Sequence, residues 1–199
     1  MLAGGCDRLF SILEVSKVQD ASNDAVLVDV PPSDMSPLDV GLESTPDGSV
    51  GAVCPSTYGN ARGASRYLHV TTAQTWTGAQ QVCLSHQVAS STKYTHLAVV
   101  SDDPERSYLY ATVAGSDAVS HWIGFSDRVT DSVYKWVSDE GGYPTNLDNP
   151  WSTSQPSTSP GDDCVYMDKI AAFLSTTCTG TSLQYICECD DHSNDPNHY

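Results

Sequence analysis

The distribution of cysteines constrains the fold of this chain more than any other feature of its sequence. Six of the seven cysteines lie between residues 54 and 189, and Cys6 stands alone near the start. An even set in a segment of this size is typical of a disulfide framework made in an oxidising compartment. A zinc site is the alternative, but Cys187-Glu-Cys189 has a shorter spacer than common zinc motifs. We therefore expect disulfides.

The charge of the chain excludes one class of partner. The 199 residues carry a formal net charge of −16, and 39% of them are hydrophobic. Such a negative field repels phosphate backbones and anionic lipid headgroups, so we expect no nucleic-acid partner. The sequence has no run of about 18 apolar residues, so it predicts no membrane span. Any membrane contact would require an anchor.

The first six residues suggest such an anchor. Met1-Leu-Ala-Gly-Gly-Cys6 resembles the end of a bacterial lipoprotein signal, in which small residues precede a cysteine that becomes lipidated. Ala3 stands where that pattern prefers a large aliphatic residue, and no basic start or apolar core precedes it. Chance and a start codon assigned too late both remain open. An unpaired cysteine needs a role, so we expect Cys6 to carry the lipid and residues 1–6 to be a signal remnant in a bacterial cell envelope.

The chain divides into a domain and two polar flanks. In residues 7–53, nine carboxylates stand against Arg8 and Lys17, and no apolar period persists. This composition cannot bury enough surface to offset the entropy of ordering, so we expect a disordered acidic tether. Residues 191–199 are similarly polar and are predicted to be a disordered tail. The folded domain is predicted to span residues 54–190.

Within that domain, hydrophobic periodicity predicts two helices followed by short strands. Trp76, Ala79 and Cys83 share one face of a helix from about residue 73 to 86. A second helix begins at Asp103-Pro104-Glu105, where Asp103 caps the free amides. The predicted strands are 67–70, 97–100, 122–125, 134–137, 164–167 and 185–188. Two early helices, several short strands and a long loop imply an α+β domain.

A series of landmarks in fixed order identifies a resemblance. They are Trp76-x-x-Ala79-x-x-x-Cys83, His96-Leu-Ala-Val-Val100, Trp122-Ile-Gly-Phe125, Tyr134-x-Trp136-Val137, Asn149-x-Trp151, Gln155-Pro156, Gly161-Asp-Asp-Cys164, Cys178 and Tyr185-Ile-Cys-Glu188. This series resembles the C-type lectin-like domains. The resemblance implies a disulfide-stapled fold of two helices, short and mainly antiparallel strands, and a long loop region.

The resemblance also implies a disulfide pairing. The two family pairs are Cys83–Cys187 and Cys164–Cys178. Long-form members of the family add a hairpin with its own cysteine pair before the first strand. Cys54 begins like that hairpin, but Arg66 occupies the position expected for its partner. Cys189 follows the last strand, which in this fold lies near the first, so we predict Cys54–Cys189 and leave Cys6 over.

Sugar-binding members of the family hold Ca²⁺ in the long loop. Its ligands come from a Glu-Pro-Asn or Gln-Pro-Asp triplet, a following acid, and an Asn-Asp pair preceded by Trp. Here the triplet is Gln155-Pro156-Ser157, Asp162 stands at the following acid, and the pair falls on Leu174-Ser175. Because Ca²⁺ needs about six to eight oxygen ligands, we expect no metal cofactor. Asp162 and Asp163 are then exposed loop carboxylates.

The implied function is binding through the long loop, roughly residues 139–163, to a protein or a glycan on a surface. The candidate ligand-binding residues are Trp151, Gln155, Ser157, Asp162 and Asp163. Trp151 is also a core position in this family, so packing and sugar stacking both remain open. No nucleophile elbow, zinc-protease helix or phosphate loop occurs, so we do not expect an enzyme.

Two alternatives to this reading stay open. One is a structural component of the cell envelope that binds no sugar, and the other is a weak calcium-dependent lectin of the galactose type. The fold by itself does not choose among these functions.

Overall fold

The computed structural model describes residues 53–140 and 150–199. Two α-helices, eight strands, one π-helical turn and one 3₁₀ helix make up this part of the chain. The helices are α1 (Trp76–Ser85) and α2 (Asp103–Tyr108), the π-helical turn is Leu109–Val113, and the 3₁₀ helix is Pro196–His198. The strands are β1 (Asn60–Arg62), β2 (Ser65–Gln74), β3 (Tyr94–Leu97), β4 (His121–Ser126), β5 (Lys135–Trp136), β6 (Cys164–Met167), β7 (Phe173–Thr176) and β8 (Leu183–Asp190). The predicted α+β class is confirmed.

The last strand, β8, lies at the centre of the sheet. It pairs antiparallel with β2 along one edge, where Leu68 lies opposite Cys187. Along its other edge it pairs antiparallel with β3 and parallel with the start of β4. The sheet continues from β4 through β6 to β7, and β5 pairs with β4. Strands from both ends of the domain therefore meet at β8.

Capping residues determine where the two helices begin. Helix α1 starts at Trp76 because the Thr75 side chain accepts a hydrogen bond from the Gly78 amide, at 3.2 Å. Helix α2 is capped one residue earlier than predicted, since the Asp102 carboxylate accepts from the Glu105 amide at 2.7 Å. The chain geometry therefore shifts the starts of both helices from the positions that their sequence patterns indicate.

Two buried tryptophans connect elements of the domain, Trp76 joining α1 to β4 and Trp122 joining β4 to the end of β2. The Trp76 indole donates to the Ile123 carbonyl at 2.8 Å, and the Trp122 indole donates to the Gln74 carbonyl at 2.8 Å. Both rings are fully buried, so each hydrogen bond satisfies a donor that water cannot reach. The core thus gains large apolar area without leaving an indole nitrogen unpaired.

Gly124 permits the close packing of β4. A Cβ atom at this position would lie 2.6 Å from the Leu97 carbonyl oxygen and 2.6 Å from Val137 Cγ2. The Gly124 amide donates to Ala98, and its carbonyl accepts from the Val137 amide, each at 2.8 Å. The glycine of the Trp-Ile-Gly-Phe landmark is therefore required by close backbone approach.

Three disulfides fasten the domain: the two family pairs that the resemblance implies, and the pair that we predicted for Cys54. They are Cys54–Cys189, Cys83–Cys187 and Cys164–Cys178. The first two end on neighbouring positions of β8 whose side chains share one face of the sheet. The third joins the start of β6 to the segment after β7. Cys6 is the remaining cysteine of the seven.

The prediction of a disordered tail at residues 191–199 is wrong. The Asp195 amide donates to the Val137 carbonyl at 2.9 Å, and the Tyr199 ring packs edge-on against Trp76 with 6.3 Å between centroids. Polar composition indicated disorder, but backbone hydrogen bonds to the segment around β5 and this aromatic contact hold the tail. Its residues belong to the folded domain.

Several predictions lie outside the described residues. These are the signal remnant at residues 1–6, the lipidation of Cys6, the tether at 7–53 apart from Val53, and the part of the long loop at 141–149. No helix within the described ranges combines the length and hydrophobicity that crossing a membrane requires.

Candidate functional site

The loop between β5 and β6 is held against the start of β7. The Phe173 amide donates to the Pro150 carbonyl at 2.7 Å, and the Ser152 amide donates to the Phe173 carbonyl at 3.0 Å. These bonds fix the chain on either side of Trp151, which forms a parallel bridge with Phe173. Residues 152–163 then run along the surface to β6.

Trp151 packs within an aromatic cluster. Its ring centroid lies 5.2 Å from that of Tyr134, 6.1 Å from that of Phe125 and 6.1 Å from that of Phe173. The Tyr134 and Phe173 contacts are edge-on, a favourable geometry for aromatic pairs. The indole is only half-buried. Its contacts account for packing, while its part in ligand binding stays a prediction.

Replacing Trp151 with alanine is expected to lower the free energy of unfolding by about 2 kcal/mol, because a half-buried aromatic side chain loses part of the contact area that a full Trp-to-Ala deletion removes. Chemical unfolding followed by fluorescence measures this loss. The matched variant Trp151→Phe keeps the aromatic contacts and should retain most of the stability. A Trp151→Ala protein as stable as the parent would contradict the packing role.

The candidate residues Gln155, Ser157 and Asp162 are joined in one hydrogen-bond network with Ser175. The Ser175 amide and hydroxyl both donate to Gln155 Oε1, at 2.9 and 3.2 Å. The Ser157 amide donates to Ser175 Oγ at 2.8 Å, and the Ser157 hydroxyl donates to Asp162 Oδ2 at 2.7 Å. The peptide bond before Pro156 is cis. The network holds the loop against β7.

This network does not fit a calcium ion in the family position. Gln155 Oε1 already accepts two hydrogen bonds from Ser175, and one oxygen of Asp162 accepts from Ser157. Leu174 offers no side-chain ligand. Ca²⁺ needs about six to eight oxygens, several of them anionic. The side chains at the position satisfy one another in place of a cation.

Asp127 is a functional candidate that the sequence interpretation missed. Its amide donates to the Asp163 carbonyl at 3.0 Å, and its Oδ2 accepts from the Ser132 amide at 2.8 Å. Its Oδ1 is buried and has no partner among the described residues. Burial raises the pKa of the Asp127 carboxyl, and the charges of Asp163 and Asp131 raise it further.

Tyr134 lies near the same two carboxyl groups, those of Asp127 and Asp163. Burial raises the pKa of its hydroxyl to about 12, and nearby Asp127 and Asp163 act in the same direction. The Tyr134 phenol can donate a hydrogen bond, and the Asp127 carboxyl can accept one. The one signal in the sequence was that Asp127 directly follows the strand with the Trp-Ile-Gly-Phe landmark.

A second buried polar cluster surrounds β8. Glu188 is buried and accepts from the Val99 amide at 2.9 Å. His96 is also fully buried, with Nδ1 at 2.9 Å from the Leu97 carbonyl and Nε2 at 3.3 Å from Asp190 Oδ1. Two ionisable side chains, Glu188 and His96, are therefore buried in the centre of the sheet and bonded to main-chain and side-chain partners.

These two groups have strongly altered proton affinities. Desolvation raises the pKa of Glu188 to about 8, and His96 opposes that effect only in part. Burial alone would lower the pKa of His96, but its hydrogen bond to Asp190 and the nearby Glu188 outweigh burial and raise the pKa to about 8. The cluster therefore holds protons more tightly in the folded state than the same groups do in water.

A nearby buried carboxylate, Glu105, is surrounded by hydrogen-bond donors and an arginine. It is buried, accepts a hydrogen bond from the Tyr67 hydroxyl, and lies 3.5 Å from the Arg62 guanidinium. The Ser101 amide and hydroxyl each donate to Glu105 Oε2 at 2.6 Å. Because its oxygens are occupied by protein donors, Glu105 serves to join α2 to β1 and β2.

Two groups of side chains place at least three metal-ligating atoms within 4.8 Å of one another in the described part of the chain. They are His69 with Asp117 and His121, and Glu140 with Asp190 and His192. The first group lies outside the long loop that the sequence favoured, and the second touches that loop only at Glu140. Sequence spacing brings together Asp117 with His121 and Asp190 with His192, but His69 and Glu140 join them only through the fold.

Comparison with known proteins relates this chain to a family. A family model described as Lectin C-type domain matches residues 72–189. Echinoidin of Heliocidaris crassispina is 26% identical over 145 residues, which cover 68% of this chain and 96% of echinoidin. C-type lectin domain family 4 member F of Mus musculus is 25% identical over 57% of this chain, and the matched part spans only 19% of that longer protein.

Solved structures agree with the family model. The C-type lectin CEL-I from Cucumaria echinata superposes with a TM-score of 0.59 at 22% identity, covering 68% of this chain and 96% of the other. A calcium-independent type II antifreeze protein gives 0.54 at 24% identity, covering 68% and 93%. These likenesses show the shared fold, and the family model covers more than half of the sequence. The chain therefore belongs to the C-type lectin domain family.

Proposed function

We propose that this protein is an extracellular binding module, not an enzyme, and that its loop at residues 150–163 recognises a glycan or a protein without calcium. One observation carries the calcium-free part of the proposal. Gln155, Ser157, Asp162 and Ser175 are hydrogen-bonded to one another where sugar-binding relatives would present ligands to the ion. A loop held by its own side chains needs no cation to keep its shape.

The exposed part of the loop supports polar recognition. Its outward-facing side chains are small and mostly hydroxyl-bearing, and they are those of Thr153, Ser154, Thr158, Ser159 and Pro160. Hydroxyls both donate and accept hydrogen bonds, as the hydroxyls of a sugar do. The acidic net charge of −16 opposes polyanionic ligands. We therefore favour a neutral or cationic partner and place a neutral glycan first.

The named relatives support carbohydrate as the first class to test. Scavenger receptor structures that share the fold are described as carbohydrate-recognition domains, with 22% identity to this chain. The calcium-independent antifreeze protein supports the view that the fold holds together without the ion. Some relatives are much longer than this chain, so the activities of those whole proteins do not transfer with the domain.

A glycan array, run with and without a chelator, tests the proposal. We expect binding that the chelator leaves unchanged. Asp162→Asn removes the anionic acceptor of the Ser157 hydroxyl, so it should loosen the loop and weaken ligand binding about tenfold. Affinity for the best glycan, or for a protein partner recovered by pull-down, is measured by calorimetry.

Asp191→Asn is the matched control for that variant. It makes the same charge change at an exposed residue whose partner is Lys93, and it should leave affinity unchanged. Binding that disappears with chelator would overturn the calcium-free proposal and favour the galactose-type alternative. A ligand affinity that Asp162→Asn leaves unchanged would place binding outside this loop, and the absence of any glycan or protein ligand would favour a structural display role in the cell envelope.

The disulfides support an extracellular compartment. Three disulfides in one small domain support secretion or exposure to an oxidising space. Attachment to a bacterial envelope through a lipid on Cys6 stays a separate prediction, and the relatives named above come from animals. Mass spectrometry of the protein from its native source would reveal the acyl mass on Cys6.

A further inference from the structure

Three metal-ligating side chains converge at the start of β4, away from the loop. His121 is the first residue of β4, Asp117 lies in the connection before it, and His69 projects from β2. The opposite end of β4 leads to Asp127, which reaches Asp163 beside the loop. The histidine cluster is therefore separate from the proposed ligand-binding surface.

The three ligand atoms have the spacing of a metal coordination shell. His69 Nε2 lies 3.0 Å from His121 Nε2, and Asp117 Oδ2 lies 3.2 Å from His121 Nε2 and 3.7 Å from His69 Nε2. A tetrahedral ion with bonds of about 2.0–2.1 Å separates its ligands by about 3.3 Å. One ion can thus contact all three atoms with shifts of a few tenths of an ångström.

Gln184 supplies a fourth ligand atom, an amide oxygen, from the central strand. Its Oε1 lies 2.7 Å from His69 Nε2. Gln184 lies opposite His121 in the parallel β4–β8 pairing, so the backbone fixes both side chains at this end of the sheet. Four atoms with lone pairs face one another here. Without a cation, the imidazole N–H groups must supply the hydrogen bonds between them. A divalent cation satisfies all four at once.

His121 places a buried imidazole in the cluster. Its ring is fully buried, and its Nδ1 has no hydrogen-bond partner among the residues that the structure describes. Ligation through Nε2 requires the imidazole proton to sit on Nδ1, and no partner at Nδ1 imposes the other tautomer. The His69 and Asp117 side chains are 17% and 28% exposed, so an ion can enter from solvent.

We propose that His69, Asp117 and His121 bind a divalent transition-metal ion, with Zn²⁺ the ion that best suits the site. Two imidazoles and one carboxylate are typical zinc ligands, and a fourth position is open to Gln184 or water. Calcium is a poor match because it selects oxygen ligands. Bound zinc would join the Asp117 connection to β2 and so fasten one edge of the sheet.

Titration of the full-length protein with ZnCl₂ in a calorimeter tests the proposal. Cys6→Ser is present in every protein, so that no free thiol binds zinc. We expect one Zn²⁺ per chain. His69→Ala removes a ligand and should weaken binding by more than the 10- to 100-fold that loss of an outer partner costs. Co²⁺ substituted into the site should give the visible absorption of tetrahedral coordination.

Two further variants keep the test decisive. Asp117→Asn replaces the anionic ligand by a neutral amide that can still coordinate through oxygen, and it should weaken binding at least about tenfold even if His69→Ala folds poorly. His192→Ala removes the imidazole of the other metal-ligating group and should leave zinc affinity unchanged. The proposal fails if the parent takes up no zinc, if Asp117→Asn binds as tightly as the parent, or if His192→Ala alone abolishes binding.

Discussion

Replacing Cys83 and Cys187 together with alanine is expected to lower the free energy of unfolding by about 4–5 kcal/mol. This disulfide closes a loop of 104 residues, from α1 to the central strand. Without it, the unfolded chain regains the conformational freedom that the closed loop denies, while both sulfur positions are fully buried in the fold. Guanidinium unfolding measured by tryptophan fluorescence gives the difference.

The Cys164–Cys178 pair provides the internal comparison. It closes a loop of only 14 residues, and its removal should cost about 3 kcal/mol. Both double variants replace two cysteines by two alanines, so the difference between them reports loop length with similar side-chain loss. Equal losses, or a larger loss for the short loop, would contradict the entropic account and point to local packing.

Raising the pH is expected to destabilise the fold through the cluster around β8. Glu188 ionises near pH 4.5 when unfolded and near pH 8 when folded, because burial penalises its charged form. Between these values the folded state keeps a proton that the unfolded state has released, so stability falls as the pH rises. His96, whose pKa is raised from 6.5 to about 8, adds to the fall between those values.

Glu188→Gln isolates this contribution. The glutamine oxygen can still accept from the Val99 amide, but it carries no proton that pH can remove. We expect the variant to exceed the parent in free energy of unfolding by at least about 2 kcal/mol at pH 8.5, since each pKa unit corresponds to about 1.4 kcal/mol. The difference should shrink as the pH falls towards 5.

Chemical unfolding at a series of pH values, in a Cys6→Ser background that prevents thiol exchange, measures this dependence. Asp191→Asn changes an exposed carboxylate and should follow the parent at every pH. A Glu188→Gln protein whose stability falls as steeply as that of the parent would show that other groups cause the loss. A parent that becomes more stable above pH 7 would reverse the predicted direction.

The fold was predictable because disulfide-forming cysteines and buried aromatic residues mark it in the sequence. The cysteines and the two core tryptophans occupy positions that local sequence reveals. Strand β7 (Phe173–Thr176) escaped prediction because its four residues do not alternate clearly between apolar and polar. The tail at 191–199 escaped because backbone hydrogen bonds, which polar composition cannot indicate, hold it in place.

The candidate site was predictable only in part. The loss of calcium ligands at Ser157 and Leu174 is visible in the sequence, but the substitute bonds to Gln155 depend on how β7 approaches the loop. His69 and His121 are 52 residues apart and meet only through the pairing of their strands with β8. Chemistry assembled across a sheet in this way leaves no spacing signal in one sequence.

The two disulfides that end on β8 have a mechanical consequence. A pull on the segment before Cys54 enters the domain at that residue and passes through the Cys54–Cys189 bond into the central strand. The short hairpin of β1 and β2 is thereby bypassed and cannot be peeled away first. Cys187, two residues earlier, carries the load on to helix α1 through Cys83. A domain attached by its amino-terminal side would thus resist shear through covalent bonds before any hydrogen-bonded strand pair bears the force.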